Sequence, residues 1–216
     1  MRKIIFSVLI AGLSLASCTK TESPYDFGVL VKTQISFPEV TQDGKNILAF
    51  KTNKSAFISH NAVEAHHNNG EIIHKEAQPL ELTATYALQA ETQEYVLVIW
   101  GLDQKDDKNK RDELTIKYRS ELAIKAGDRI VIGSNEANGM ANVSFWKTVG
   151  DRYIEYKAIS GELNILKLDS QRKIISATFN FTGEEVKKNE TEVESAAVLA
   201  TEGRLDILYT DALVKK

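Results

Sequence analysis

The chain has 216 residues, 43% of them hydrophobic, with 27 basic against 30 acidic side chains and a formal net charge of −3. A chain of this length buries a core without disulfide or metal staples. Its mild acidity, with no cluster of Lys and Arg, speaks against nucleic acid or an anionic membrane surface as partner.

The first element is an address. Arg2 and Lys3 precede the apolar run Ile4 to Leu15, interrupted only by Ser7 and Ser14. The run is about half the ~20 residues a spanning helix needs, so it reads as a secretion signal and not as an anchor. Leu15-Ala16-Ser17-Cys18 follows and resembles the bacterial lipobox, in which the thiol is diacylated and the chain is cut just before it. Residues 1–17 are then a signal peptide, and Cys18, the only cysteine, becomes a lipidation site. Lipidation leaves no thiol for disulfides, iron–sulfur clusters, zinc or nucleophilic catalysis. Two or three acyl chains hold a protein durably on a bilayer, so the membrane is the expected partner through Cys18. Without Arg2 and Lys3 the 27 basic residues become 25 against 30 acidic ones, a charge near −5. Residues 18–28, TKTESPYDFG after the cysteine, read as a polar tether. Thr19, where an Asp would signal inner-membrane retention, points to the outer membrane, on either its periplasmic or its surface face.

From residue 29 to 216 the pattern is that of strands. The hairpin signal Asn69-Gly70 comes first. Thr83 to Thr92 reads as a short helix or as a strand and turn, and Tyr95 to Trp100 (YVLVIW) as a strand covered on both faces. Gln104 to Glu113 (QKDDKNKRDE) reads as a solvated loop, and its lysines and missing central glycine argue against a calcium loop. Apolar residues then recur two apart: Leu114, Ile116, Tyr118, continuing to Leu122 and Ile124; Ile130 and Ile132; Val143 and Phe145; Ile154 and Tyr156; Leu163 and Ile165; Ile175, Ala177, Phe179 and Phe181; and Leu205, Ile207 and Tyr209. Such alternation, broken by turn residues at Gly127, Gly139, Gly150 and Gly203, predicts half-buried antiparallel strands. The expectation is a single all-β domain, an antiparallel β-sandwich or open barrel.

Several constellations bear on chemistry. All four histidines, His60, His66, His67 and His74, fall within fifteen residues. A two-residue turn at Asn69-Gly70 makes His67 and His74 a diagonal pair on one face, two candidate metal ligands where zinc takes three or four. Serine catalysis lacks the Gly-x-Ser-x-Gly elbow, and Ile159-Ser160-Gly161 reads as the opening of a strand. The carboxylates of TGEEVKKNETEVES read as a solvated loop, whereas glycosidase chemistry needs two facing across a cleft. Phe145, Trp146, Tyr153 and Tyr156 are core residues or a sugar-stacking platform. Arg204 and Asp206 share one face of the last strand, as an ion pair or a ligand-binding pair.

Two segments carry a resemblance: Ile159-Ser160-Gly161-Glu162-Leu163-Asn164-Ile165 running into Lys173 to Phe181 (KIISATFNF), and Ala200 to Tyr209 (ATEGRLDILY). Together with Leu48 to Phe57 (LAFKTNKSAF) they resemble a family of β-rich lipoproteins of unknown function typical of Bacteroidota. Its members carry a "G-x-(I/L)-x-I … G-T-F-x-F" hairpin and close on a "T-x-G-R-F-D-x-x-Y" strand. Ala177, Leu205 and Lys54 stand here where the family has Gly, Phe and Gly. The resemblance implies a fold and an address and no site. No catalytic residue and no cofactor is expected. The function expected is a non-catalytic binding or interaction module of the cell envelope, taking a glycan, a small ligand or an envelope protein; a polysaccharide hydrolase is the alternative.

Overall fold

The structure is a computed structural model that describes residues 37–53, 55–60, 82–104, 111–135, 137–187 and 197–211, and the backbone alone of 63–68 and 71–77. All belong to one compact unit, Lys32–Lys216. No helix occurs among them. The strands are β1 (Ile47–Lys51), β2 (Ala56–His60), β3 (Val63–Asn68), β4 (Glu71–Ala77), β5 (Leu82–Leu88), β6 (Tyr95–Gln104), β7 (Arg111–Ser120), β8 (Arg129–Gly133), β9 (Met140–Val149), β10 (Arg152–Asp169), β11 (Ile174–Glu185) and β12 (Ala197–Leu208).

Ten strands form one sheet in the order β2-β1-β12-β11-β10-β8-β9-β7-β6-β5, nearly closed into a barrel, while β3 and β4 pair separately. All pairings are antiparallel except the short β8–β9 contact. The free edges of the sheet come round to one another. Thr210, just past β12, exchanges backbone hydrogen bonds with Ala84 and Tyr86 of β5. On the other side the Ser59 hydroxyl of β2 accepts the Leu102 N–H of β6 at 3.0 Å. Edge strands left open invite aggregation, and these contacts cover part of both edges.

Alternation builds the core as expected. Leu114, Ile116, Val143, Phe145, Leu163, Ile165, Phe179, Phe181, Leu205 and Ile207 all point inward and are at most 3% exposed. Phe50 is the hub: its ring stacks on Phe57 at 4.8 Å and meets Phe145 edge-on at 5.1 Å. Truncating such a ring to alanine costs about 3–5 kcal/mol. A second aromatic group plugs the other end, where Tyr86 stacks on Tyr95 and its hydroxyl accepts the buried Ile124 N–H at 2.8 Å.

Several local expectations are corrected. Gly203 is no turn: it lies inside β12, opposite Phe179, where the register shifts by a bulge. Glu202 beside it has a φ of +52°, so the bulge carries the same left-handed signature as a turn. A Cβ on Gly203 would stand 2.3 Å from the Phe179 carbonyl oxygen, which is why only glycine fits. Ile159-Ser160-Gly161 likewise lies within the 18-residue β10. Thr83 to Leu88 is strand, with the turn after it. Leu122 and Ile124 fall beyond β7 in irregular chain, Leu122 being 77% exposed. YVLVIW buries one face, Leu97 and Ile99, and half-buries the other. The charged stretch 104–113 shortens from both ends, because β6 runs to Gln104 and β7 begins at Arg111. Asn69-Gly70 lies outside the described residues.

Candidate functional site

One end of the barrel is open. There the end of β9, the start of β10, the end of β11, the start of β12, the start of β7 and the link from β1 to β2 converge around a cleft of about 590 Å3. Small-molecule sites have this size and prefer the mouths of barrels. The β9–β10 hairpin forms one lip. Val149 pairs with Arg152, so Gly150-Asp151 is a two-residue turn, and Gly150 at φ +61° takes its first central position. That placement fits a type II′ turn and keeps the strand twist running into the lip.

The lining follows from alternation reaching the rim. Ile154, Tyr156 and Val198, each 6–8% exposed, form an apolar floor. Above them stand Lys147 and Arg152, Asp112 and Glu185, with Thr52, Asn53, Ser55 and Thr148 between. The polar groups are held in place. The Asp112 Oδ1 accepts the Thr148 N–H at 2.9 Å, the Thr148 hydroxyl donates to the Arg111 carbonyl at 2.8 Å, and the Lys147 Nζ donates to the Ser55 hydroxyl at 3.1 Å. Burial, and then the Glu185 charge, push the Tyr156 hydroxyl above its ordinary pKa, so it stays a neutral donor and acceptor. Asp103 stands directly opposite Asp112 on β6, and both are buried, at 5% and 2%. This pair lies side by side in one wall, and Asp112 of β7 and Glu185 of β11 both line the cleft.

The residues singled out in the sequence go elsewhere. Asp206 is 2% exposed and both its oxygens are taken. Oδ2 accepts from the Thr41 hydroxyl (2.6 Å) and the N–H groups of Asp43 (2.9 Å) and Lys45 (3.1 Å). Oδ1 accepts from the Gly44 N–H (2.8 Å) and the Ser176 hydroxyl (2.7 Å). Burial alone would raise its pKa, but these donors outweigh it and hold the carboxyl below the ordinary range. Arg204 turns to the same upstream segment: its guanidinium lies 4.2 Å from the centroid of the Phe37 ring and donates to the Pro38 carbonyl. The Lys51 Nζ lies 4.9 Å from the same ring. Arg204 and Asp206 therefore clasp residues 37–45 onto the barrel.

The His67 and His74 side chains lie outside the described residues. The backbone register sets His67 opposite Ile72 and, after a shift, His66 opposite His74. Among the described residues no group of three or more His, Cys, Asp or Glu is placed to hold a metal ion. Of the four aromatics near residue 150, Phe145 and Tyr156 are core, and Trp146 and Tyr153 face outward. Comparison with protein-family models, with curated proteins and with solved structures finds no match.

Proposed function

We infer that the chain is a lipid-anchored binding module of the bacterial outer membrane, which holds a small ligand in the mouth of its barrel. The observation that carries the reading is the cleft of about 590 Å3, with an apolar floor and charges of both signs on its rim. Such a lining suits a compact ligand with an apolar body and polar ends. The address rests on the ordered n-region, apolar run and Leu15-Ala16-Ser17-Cys18 box, and on the resemblance to envelope lipoproteins. Fixed rim hydrogen bonds favour binding, because a preorganised site loses little freedom when occupied.

Native mass spectrometry of the chain from Asp26 onward, mixed with the small-molecule fraction of its own cells, tests this. A discrete added mass is expected, and Asn53→Tyr at the exposed rim should remove it. No added mass sinks the reading. A hydrolase is the second reading, favoured by Asp112 and Glu185 lining the cleft from different strands. It predicts that the retained species is hydrolysed and that Glu185→Gln traps it intact.

A further inference from the structure

A second constellation lies on the outer surface of the barrel. Three aromatic residues, Trp100 of β6, Trp146 of β9 and Tyr153 of β10, occupy outward positions on one stretch of sheet. They are joined into one unit by Glu113 of β7. Its Oε1 accepts the Trp100 indole N–H at 2.7 Å, and its Oε2 lies 3.4 Å from the Tyr153 hydroxyl. Tyr153 in turn stacks on Trp146, with centroids 5.0 Å apart and planes 23° from parallel. These rings serve no core: the inward partners on the same strands, Ile99, Leu114, Phe145 and Ile154, already fill it. Trp100 and Trp146 are the only tryptophans in the chain, and both stand on this outer face.

We propose that this platform binds the face of a neutral pyranose glycan, with Tyr153 and the two tryptophans stacking on the sugar and Glu113 accepting its hydroxyls. A pyranose presents a patch of C–H groups on one face and hydroxyls around its edge. The C–H groups carry partial positive charge and are drawn to the negative face of an aromatic ring. Tyr and Trp supply this area at little entropic cost, and here the carboxylate bridge has already fixed their rings. Glu113 gives two of its roughly four lone-pair positions to Trp100 and Tyr153 and keeps the rest for hydroxyl donors. Around it, the Ser144 hydroxyl donates to Glu155 at 2.9 Å, and Glu155 stands opposite Trp146. Glu113 and Glu155 among the rings outnumber the one cation acting on Tyr153, Arg111, and so disfavour uronic acids and sulfated sugars against neutral ones. Tyr153 is 37% exposed, so ring surface is open to a ligand without rearrangement. The platform does not rest on the mouth: the β9–β10 hairpin borders both, with Lys147 and Ile154 lining the mouth and Trp146 and Tyr153 outside.

The test uses the full-length chain in a detergent without a sugar headgroup. Tryptophan emission is followed while hexasaccharides of β-1,4-glucan, β-1,3-glucan, α-1,4-glucan and β-1,4-mannan are added one at a time. Because both tryptophans are on the platform, a saturable change reports on that surface. At least one glycan should give it. Tyr153→Ala should weaken its affinity about tenfold, the weight of one aromatic contact, while Tyr153→Phe keeps the stack and most of the affinity. Glu113→Gln, a nearly isosteric change, should also weaken it. Asn53→Tyr at the mouth should leave glycan affinity unchanged, so failure of the mouth reading does not pass to this one. No saturable change with any of the four glycans overturns the proposal. So does binding that Tyr153→Ala and Glu113→Gln both leave intact, with circular dichroism showing that the variants fold.

Discussion

Asp206→Asn is the perturbation that tests most of the reasoning about this fold. The substitution keeps shape and volume and replaces one carboxylate oxygen by an NH2 group. Every group that faces the carboxylate is a donor: Oδ1 takes two and Oδ2 takes three. The least costly orientation puts NH2 at the Oδ1 site, where the Gly44 N–H loses its acceptor and the Ser176 hydroxyl must turn to accept from the new N–H, so that two bonds to a charged oxygen are lost. Hydrogen bonds to a charged group contribute about 1.5–3 kcal/mol each, so two of them put the loss at about 3–6 kcal/mol. With a urea m-value of about 2 kcal/mol/M, the midpoint followed by circular dichroism falls by about 1.5–3 M. The pH dependence sharpens the test. The folded carboxyl titrates below its unfolded value near ~3.9, so its stabilisation is complete above that pH and disappears as pH falls through the folded value. The gap between the protein and the variant should therefore be constant from neutrality to about pH 5 and close on further acidification. A midpoint shift under about 0.5 M at neutral pH, or a gap that stays open in acid, would refute the account of Asp206 as the clasp.

The remaining predictions concern other parts of the barrel. Gly203→Ala forces a Cβ to within 2.3 Å of a backbone oxygen and should cost more than about 3 kcal/mol, read as a collapse of the urea midpoint or as insoluble expression. Tyr86→Phe removes the acceptor of the buried Ile124 N–H and should cost about 1–3 kcal/mol by the same assay. Burial raises the Tyr86 pKa to about 12, so no alkaline tyrosine transition from this ring is expected in absorbance below pH 11. Phe37→Ala removes the ring beneath Arg204 and Lys51 and should cost about 1 kcal/mol, while making residues 37–45 more susceptible to limited proteolysis. Cys18→Ala should abolish palmitate labelling and release the protein from the membrane fraction; labelling that persists would sink the lipobox reading.

The barrel wall was legible because burial and alternation coincide along most of it. Leu114, Ile116 and Tyr118, or Leu205, Ile207 and Tyr209, announce a strand and its inner face together. What alternation does not carry is the bulge. Glu202-Gly203 inside β12 looks like a turn, and Gly161 inside β10 like the start of a new strand, because a positive-φ residue with close backbone packing has one composition in both settings. The local pattern was right, and the number of strands it divided was wrong. Arg204 and Asp206 were also placed correctly on one face. Their partners, Phe37, Pro38 and residues 41–45, lie some 160 positions upstream, and no local pattern announces them.

The mouth escaped the sequence, whereas the outer platform was offered there as one of two readings, and both outcomes follow from barrel geometry. At the mouth the inward positions turn polar, so the inner series stops being apolar while the strand continues. Extending Leu114 and Ile116 backwards by two reaches Asp112, and extending Phe179 and Phe181 forwards by four reaches Glu185. Both are wall residues in stretches whose charge read as solvated loop. A strand thus looks shortest at the rim of a barrel. On the outer face the difficulty is a different one, because aromatic side chains such as Trp146 and Tyr153 read either as core or as a stacking platform. Phase separates the cases: Trp146 is one residue from buried Phe145 and Tyr153 one residue from buried Ile154, so each must face outward in any strand that buries its neighbour. Large aromatics that are out of phase with a filled core need another reason to be kept, and a bound surface is the reason consistent with a carboxylate that holds their rings in place.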